Sequence, residues 1–324
     1  MTPAPERILL LFVDGLGLGR DVETNPVTTA SLPTLDALLA PRRLMAADAP
    51  WHGADASLVG IDVRHGAPGT PQSGTGHTTL LTGVDAVARF GRHYGPWVPT
   101  ALRPLVAERS ILARTKIAGR RVAFANAYPE ELMERVPDGV PVAEAVTSGR
   151  LGPLRSGPPL AALGAGVLTR HTDALARGDA LASEITNDGW IQRLHRDLPR
   201  ITPAAAGRNL ARITADHDLT LFAHYTPDYV GHRGTWNEAI ASLERIDAFL
   251  AGLLEELPDR ALLIVASDHG NIEDTTREHT TNLAVGLVVG RGHAEVAGRL
   301  EQLWDVPRVI LHLLGIEPGD DEPG

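Results

Sequence analysis

A chain of 324 residues, 43% hydrophobic and 22% charged, is long enough to bury the core of one large or two modest domains. Its 30 basic residues against 40 acidic ones leave a formal charge of −10, which argues against nucleic acid or an anionic membrane surface as partner. With no cysteine, disulfides, thiolate metal sites and Cys nucleophiles are all excluded, so any transition-metal site must draw on the 13 histidines and the carboxylates. No apolar run approaches the roughly 18 residues of a membrane span. The run Ile8 to Val13 is too short for a signal peptide and ends at Asp14, so a cytoplasmic protein is expected.

Arg7 to Val13 reads as a buried strand that stops at Asp14-Gly15-Leu16-Gly17, where the glycines permit a tight turn close to a ligand. Ser31 to Leu39 predicts a short helix with Pro33 in its first turn. In Thr70 to Gly83, glycines flank Ser73 and Thr75 just before a helical stretch. A hydroxyl there faces the free N–H groups of a helix start and suits an anion, although an N-cap role explains either residue equally simply.

From residue 85 to 204 the texture changes. Proline and glycine are frequent, periodicity is weak, and only Arg120 to Ala125 reads clearly as a strand, so this segment is expected to be an inserted cap between core segments 1–84 and 205–324. It contains the polar and aromatic cluster His93-Tyr94-Gly95-Pro96-Trp97.

Ala205 to Asp216 predicts a helix that returns to the core, and Leu219 to Ala223 a further strand. Asp228 and His232 follow at a spacing that, on a helical turn, turns both donors to one face. Glu238 to Leu257 has the apolar period of an amphipathic helix. It leads into Leu262 to Asn271, L-L-I-V-A-S-D-H-G-N, a buried strand that ends in Asp268 and His269 and repeats the strand-then-carboxylate pattern of Asp14. His279 precedes another strand, Ala284 to Val289. Asp305 to Leu314 closes the core as a helix capped by Asp305, and a polar tail follows Ile316.

Asp14, Ser73, Asp228, His232, Asp268, His269 and His279 thus form a set of three carboxylates, three imidazoles and one hydroxyl. Such a set suits two divalent cations with mixed nitrogen and oxygen donors, zinc or manganese. A serine beside a cation loses its proton more easily and needs no His–Asp triad to act as nucleophile.

Asp-Gly after the first strand, S-x-T-G-H at Ser73, P-D-Y-V-G-H at Asp228 and His232, S-D-H-G-N at Asp268 and His269, and H-T-T-N at His279 occur in that order. In this the chain resembles the metalloenzymes of the alkaline phosphatase superfamily, with cofactor-independent phosphoglycerate mutase and phosphopentomutase as the nearest branches. The resemblance implies a doubly wound, three-layer α/β/α core with a small inserted cap. It implies one metal held by Asp228, His232 and His279, another by Asp14, Asp268 and His269, and Ser73 as phosphoryl acceptor. The expected activity is that of a phosphoester hydrolase or phosphomutase on a small phosphorylated substrate, with Thr75, His77, Arg92, His93 and Arg233 as candidate substrate contacts. Around the serine the mutase pattern N-S-E-V-G-H gives way to Gln72-Ser73-Gly74-Thr75-Gly76-His77, and the intervening segment is shorter than a phosphoglycerate mutase cap. These differences favour hydrolysis; a metal-binding sensor or scaffold without turnover is the competing expectation.

Overall fold

The computed structural model describes residues 5–20, 22–136, 140–147, 149, 151–275 and 278–317. The polar tail expected after Ile316 lies, from residue 318 on, outside the described residues. Seven strands form a single sheet: β1 (Arg7–Val13), β2 (Trp51–His52), β3 (Ala56–Ile61), β4 (Val122–Phe124), β5 (Leu219–His224), β6 (Ala261–Ala266) and β7 (Ala284–Val289), in the order β2-β3-β7-β6-β1-β5-β4. The block β4-β5-β1-β6 is parallel, and β7, β3 and β2 extend it with antiparallel pairings.

Side chains alternate across a strand, so β1 feeds both faces of the sheet. Ile8, Leu10 and Phe12 enter one apolar core, and Leu9, Leu11 and Val13 the other. The first is closed by helices α2 (Ser73–Thr82), α3 (Arg103–Arg109), α4 (Ile111–Ile117), α5 (Gly157–Gly164) and α9 (Asp305–Leu313). The second is closed by α1 (Pro33–Leu39), α6 (Pro203–Ala215) and α8 (Trp236–Glu256), with α7 (Thr226–Arg233) linking β5 to α8. This is the three-layer α/β/α architecture.

Helix α8 starts at a capping box in which Thr235 and Glu238 satisfy each other's backbone N–H groups, and its apolar stripe, with Leu243, Ile246, Leu250 and Leu253, is buried. Its buried Asp247 accepts from the backbone N–H groups of Thr34 and Leu35 at 3.1 and 2.8 Å, and so caps α1, whose own N-cap Leu32 offers no side-chain acceptor. Asp305 does not cap its own helix. Its carboxylate takes the N–H groups of Glu301 and Gln302 at 3.1 and 2.7 Å, bracing the turn before α9.

The stretch 85–204 does not form a separate body throughout. β4 pairs with β5 at the sheet edge, and α3 and α4 pack into the core beneath α2 and α9. A small apolar cluster of its own, around Ala127, Leu175, Trp190 and Leu198, lies further along this segment.

Candidate metal centre

The sheet register sets the site. Val13 of β1 pairs with His224 of β5, and Phe12 with Ala266 of β6, so the residues that follow these strands leave the sheet at one level on its carboxyl edge. Asp14 and the Ser267-Asp268-His269 step come together there, with Asp14 Oδ1 3.3 Å from His269 Nε2. The turn after β1 requires glycine. Gly15 has a φ of +73°, and a Cβ on it would meet Asp228 Cα at 2.8 Å, so the turn lies directly against the start of α7. Helix α7 carries Asp228 and His232 one turn apart, with His232 Nε2 3.4 Å from Asp228 Oδ1. His279 arrives from the loop before β7, 3.3 Å from the same oxygen and 2.9 Å from His232 Nε2. Ser73 is the first residue of α2, and its Oγ stands 3.0 Å from His269 Nε2.

Two groups of donors result. Asp228, His269 and His279 bring ligand atoms within 4.8 Å of one another, and Asp14, His77 and Asp268 do the same. His77, anticipated from the sequence as a substrate contact, has its Nε2 3.5 Å from Asp14 Oδ2 and 3.4 Å from Asp268 Oδ2.

Ring-nitrogen partners fix what each histidine offers. His279 Nδ1 donates to the Pro71 carbonyl at 2.7 Å, and His269 Nδ1 to the Gly270 carbonyl at 3.3 Å, which leaves both Nε2 atoms as lone-pair donors. His77 is the reverse. The Gly157 backbone N–H donates to its Nδ1 at 3.4 Å, so the neutral ring carries its proton on Nε2, facing the two carboxylates.

Several carboxylate oxygens of the site have no hydrogen-bond donor. Asp268 is 0% exposed, and neither of its oxygens, nor Oδ1 of Asp14, has a hydrogen-bond partner. Burial pushes the Asp268 pKa well up, and the charges of Asp14 and Asp228 push it further. At Asp228 burial acts the same way but loses. In acid, where both rings are protonated, a hydrogen bond from His279 and the charge of His269, together with a hydrogen bond from Asn271, hold its pKa well below the carboxylate range. Burial, aided by His279, lowers His269 to about 4, so the ring is neutral at pH 7, as a metal ligand must be. His279 is raised: burial opposes its charged form, but Asp228 and the Pro71 carbonyl outweigh it. Buried carboxylates stripped of donors and set beside unprotonated imidazole nitrogens are stable only with cations between them, so the donor set fits divalent metals.

A second layer that sequence reasoning missed holds these groups. Glu273 is 1% exposed, and its carboxylate accepts from the N–H groups of Gly17 and Asn271 at 3.0 and 2.8 Å, from Thr280 Oγ1, and from Asn282 Nδ2 at 3.1 Å. It thereby binds the β1 turn, the turn after β6 and the His279 loop to one another. Asn271 Nδ2 donates to Asp228 Oδ1 at 2.9 Å, and Ser267 Oγ takes the Leu16 N–H at 2.9 Å while donating to the His269 carbonyl. Asn271 stood in a motif that was legible; Glu273 carried no signal of its own.

Two recesses share Asp14, Ser73, Pro96, Trp97, Tyr225 and Asp228. One is polar and adds Gln72, His232, Arg233, Glu278 and His279. The other is a largely apolar chamber of about 380 Å³. Of the anticipated substrate contacts, Arg233 lines the polar recess and His77 the apolar one. The remaining three lie elsewhere. Thr75 is fully buried, where its hydroxyl takes the Tyr94 N–H at 3.2 Å. Arg92 is exposed over the Tyr94 ring, and His93 packs 6.1 Å from His65.

Fold and site together set two adjacent groups of Asp and His donors, of a kind that could hold divalent metals, at the carboxyl edge of the sheet. Residues 204–318 match the Metalloenzyme superfamily. The chain is 34% identical over 140 residues to the 2,3-bisphosphoglycerate-independent phosphoglycerate mutase of Chloroflexus aurantiacus, covering 39% of this chain and 25% of that enzyme. It is 32% identical over 168 residues to the enzyme of the same name from Streptomyces coelicolor, covering 45% of this chain and 32% of that one. The chain thus spans only about a quarter to a third of the length of these curated relatives. Its fold is shared with a protein from Pyrococcus horikoshii (TM-score 0.57, 12% identity, 97% of this chain and 98% of that one). It is also shared with phosphoglycerate mutase of Leishmania mexicana (TM-score 0.50, 13% identity, 99% and 97%). Over residues 204–318 the chain is thus similar to the Metalloenzyme superfamily, and its fold is one that these solved structures share.

Proposed function

We propose that the protein transfers the phosphoryl group of a small phosphoester to Ser73 and then to water, or to a second hydroxyl of the substrate. The observation that carries this reading is the Ser73 hydroxyl at the start of α2, beside His269 and within a nest of buried, partnerless carboxylate oxygens. Two divalent cations, zinc or manganese, held by Asp228, His232 and His279 and by Asp14, Asp268 and His269, would ease deprotonation of the serine and offset the charge on the phosphoryl oxygens.

The chain's own groups supply the rest. Ser73 Oγ, having given its proton to solvent, forms a bond to phosphorus as the bond from phosphorus to the ester oxygen breaks, and the departing alcohol takes a proton from solvent. The N-terminal end of α2 presents its positive pole to the transferring group. Arg233, at the rim of the polar recess, is positioned to pair with a phosphoryl oxygen. His77 Nε2 faces Asp14 and Asp268 at 3.5 and 3.4 Å. Water or a hydroxyl then attacks phosphorus and releases Ser73.

The test is a phosphate-ester panel with wild type and Ser73→Ala, preceded by metal analysis. About two zinc or manganese ions per chain and loss of turnover in Ser73→Ala are expected. A protein that cannot be loaded with metal, or a variant as active as wild type, sinks the proposal.

A further inference from the structure

We infer that the ester oxygen of the substrate carries an apolar, aromatic group, seated in the chamber walled by Trp97, Tyr128, Leu132, Trp190 and Leu194. This rests on the phosphoryl-transfer reading above and names its substrate class. The chamber opens directly on Ser73, Asp14 and Asp228, so whatever leaves phosphorus on that side enters it.

Its lining is the argument. Among the described residues, apart from the site residues Asp14, His77 and Asp228, no charged side chain lines it, and neither Arg nor Lys does. A phosphoglycerate brings a carboxylate, and burying that charge without a cationic partner is costly; the lining offers only neutral hydroxyls, from Ser156, Ser183, Tyr128 and Tyr225. The nearby Arg155 does not line the chamber. It lies 5.1 Å over the Trp97 ring, and its Nε donates to the Gly152 carbonyl. Tyr128 stacks on Phe124 with ring centroids 6.1 Å apart, which holds one aromatic wall in place. Four aromatic rings around about 380 Å³ match the size and character of a pocket for a compact ring system.

The two recesses then divide the work at Ser73. The aromatic alcohol occupies the dry chamber; once it has left, water admitted through the recess lined by Gln72, His232, Arg233 and Glu278 takes its place in line with the bond from Ser73 Oγ to phosphorus. A simple aromatic alcohol has no second hydroxyl to be phosphorylated, so this substrate class calls for hydrolysis: the bond from Ser73 Oγ to phosphorus is broken by water, and inorganic phosphate and the alcohol leave.

Binding separates this inference from the reading it rests on. Phenylphosphonate and 3-phosphonopropionate, neither of which is hydrolysed, are titrated calorimetrically into the metal-loaded protein. Phenylphosphonate is expected to bind at least about tenfold more tightly, the order of preference that burial of one ring supplies. Leu194 is 45% exposed, so Leu194→Arg should fold normally and abolish or reverse the preference. Leu132→Arg is the second variant, and melting curves check both. Equal affinities, no detectable binding of phenylphosphonate, or an unchanged ratio in folded variants overturns the inference. In the turnover arm, phenyl phosphate should exceed 3-phosphoglycerate and glycerol phosphate in kcat/KM. A preference for 3-phosphoglycerate overturns the substrate class but leaves Ser73 as nucleophile. Full activity of Ser73→Ala on every ester overturns the nucleophile, while the phosphonate ratio still decides the chamber.

Discussion

The Ser73 hydroxyl lies 3.0 Å from His269 Nε2, although 196 positions separate the two residues. The His269 Nδ1 proton is committed to the Gly270 carbonyl, so Nε2 meets the hydroxyl with its lone pair. Ser73→Ala removes the oxygen proposed to attack phosphorus but only one buried atom. We expect a fall in kcat of about a thousandfold or more with a melting temperature within about 2 °C of wild type. Steady-state kinetics on the best ester and calorimetry of the same preparation check both halves. A large loss of stability would mean that the serine is a structural residue.

His77 provides a second test. A ring that carries its proton on Nε2 steers Asp14 and Asp268 rather than donating a lone pair. His77→Gln keeps an N–H group facing Asp14 and Asp268 and should retain metal, whereas His77→Leu puts an apolar group there and should weaken the metal held by those carboxylates by about 10–100-fold, the usual effect of losing an outer polar group beside a ligand. Competition with a chromogenic chelator measures it. Equal weakening in both variants would show that His77 itself is a ligand.

The contrast between these residues explains what the sequence could reveal. Asp14, Asp268 and His269 were legible because each follows directly on a buried strand, and Asp228 with His232 because a helical turn aligns them. The role of His77 was hidden, since its tautomer depends on the N–H of Gly157, 80 positions away. Glu273 was hidden for the same reason: its partners come from Gly17, Thr280 and Asn282. The hairpin of β2 and β3 escaped notice because β2 has two residues and Gly53 and Gly60 blur its alternation. Within 85–204 the helices are eight residues or fewer, too short to show a period. Asp305 and Asp247 show the limit of capping rules: each carboxylate caps a backbone segment that local sequence does not indicate.

Glu273 should be the most sensitive position outside the metal ligands. Glu273→Ala strands four donors from three segments in a buried site, and we expect a loss of about 3–5 kcal/mol together with weakened metal binding. Glu273→Gln preserves shape but turns one acceptor into a donor facing other donors, and should cost less, about 1–3 kcal/mol. Chemical denaturation of metal-free and metal-loaded protein separates the two effects. A stability loss seen only in the loaded protein would assign Glu273 to the metal shell alone.

His224 predicts a pH dependence. It is fully buried in β5 next to the site, with Nδ1 donating to the Ser183 carbonyl at 2.7 Å and Nε2 without a partner. Burial lowers its pKa from 6.5 to about 4. Below about pH 6.5 the unfolded chain takes up a proton that the folded protein refuses. The stability present above that pH is therefore lost progressively as the pH falls towards 4, by at most about 3 kcal/mol. His224→Asn keeps a donor for the Ser183 carbonyl but does not titrate. Its unfolding free energy should fall less steeply than that of wild type between pH 7 and pH 5, with the two curves most alike in shape above pH 7. Parallel curves across the whole range would mean that the ring already carries its proton in the folded state.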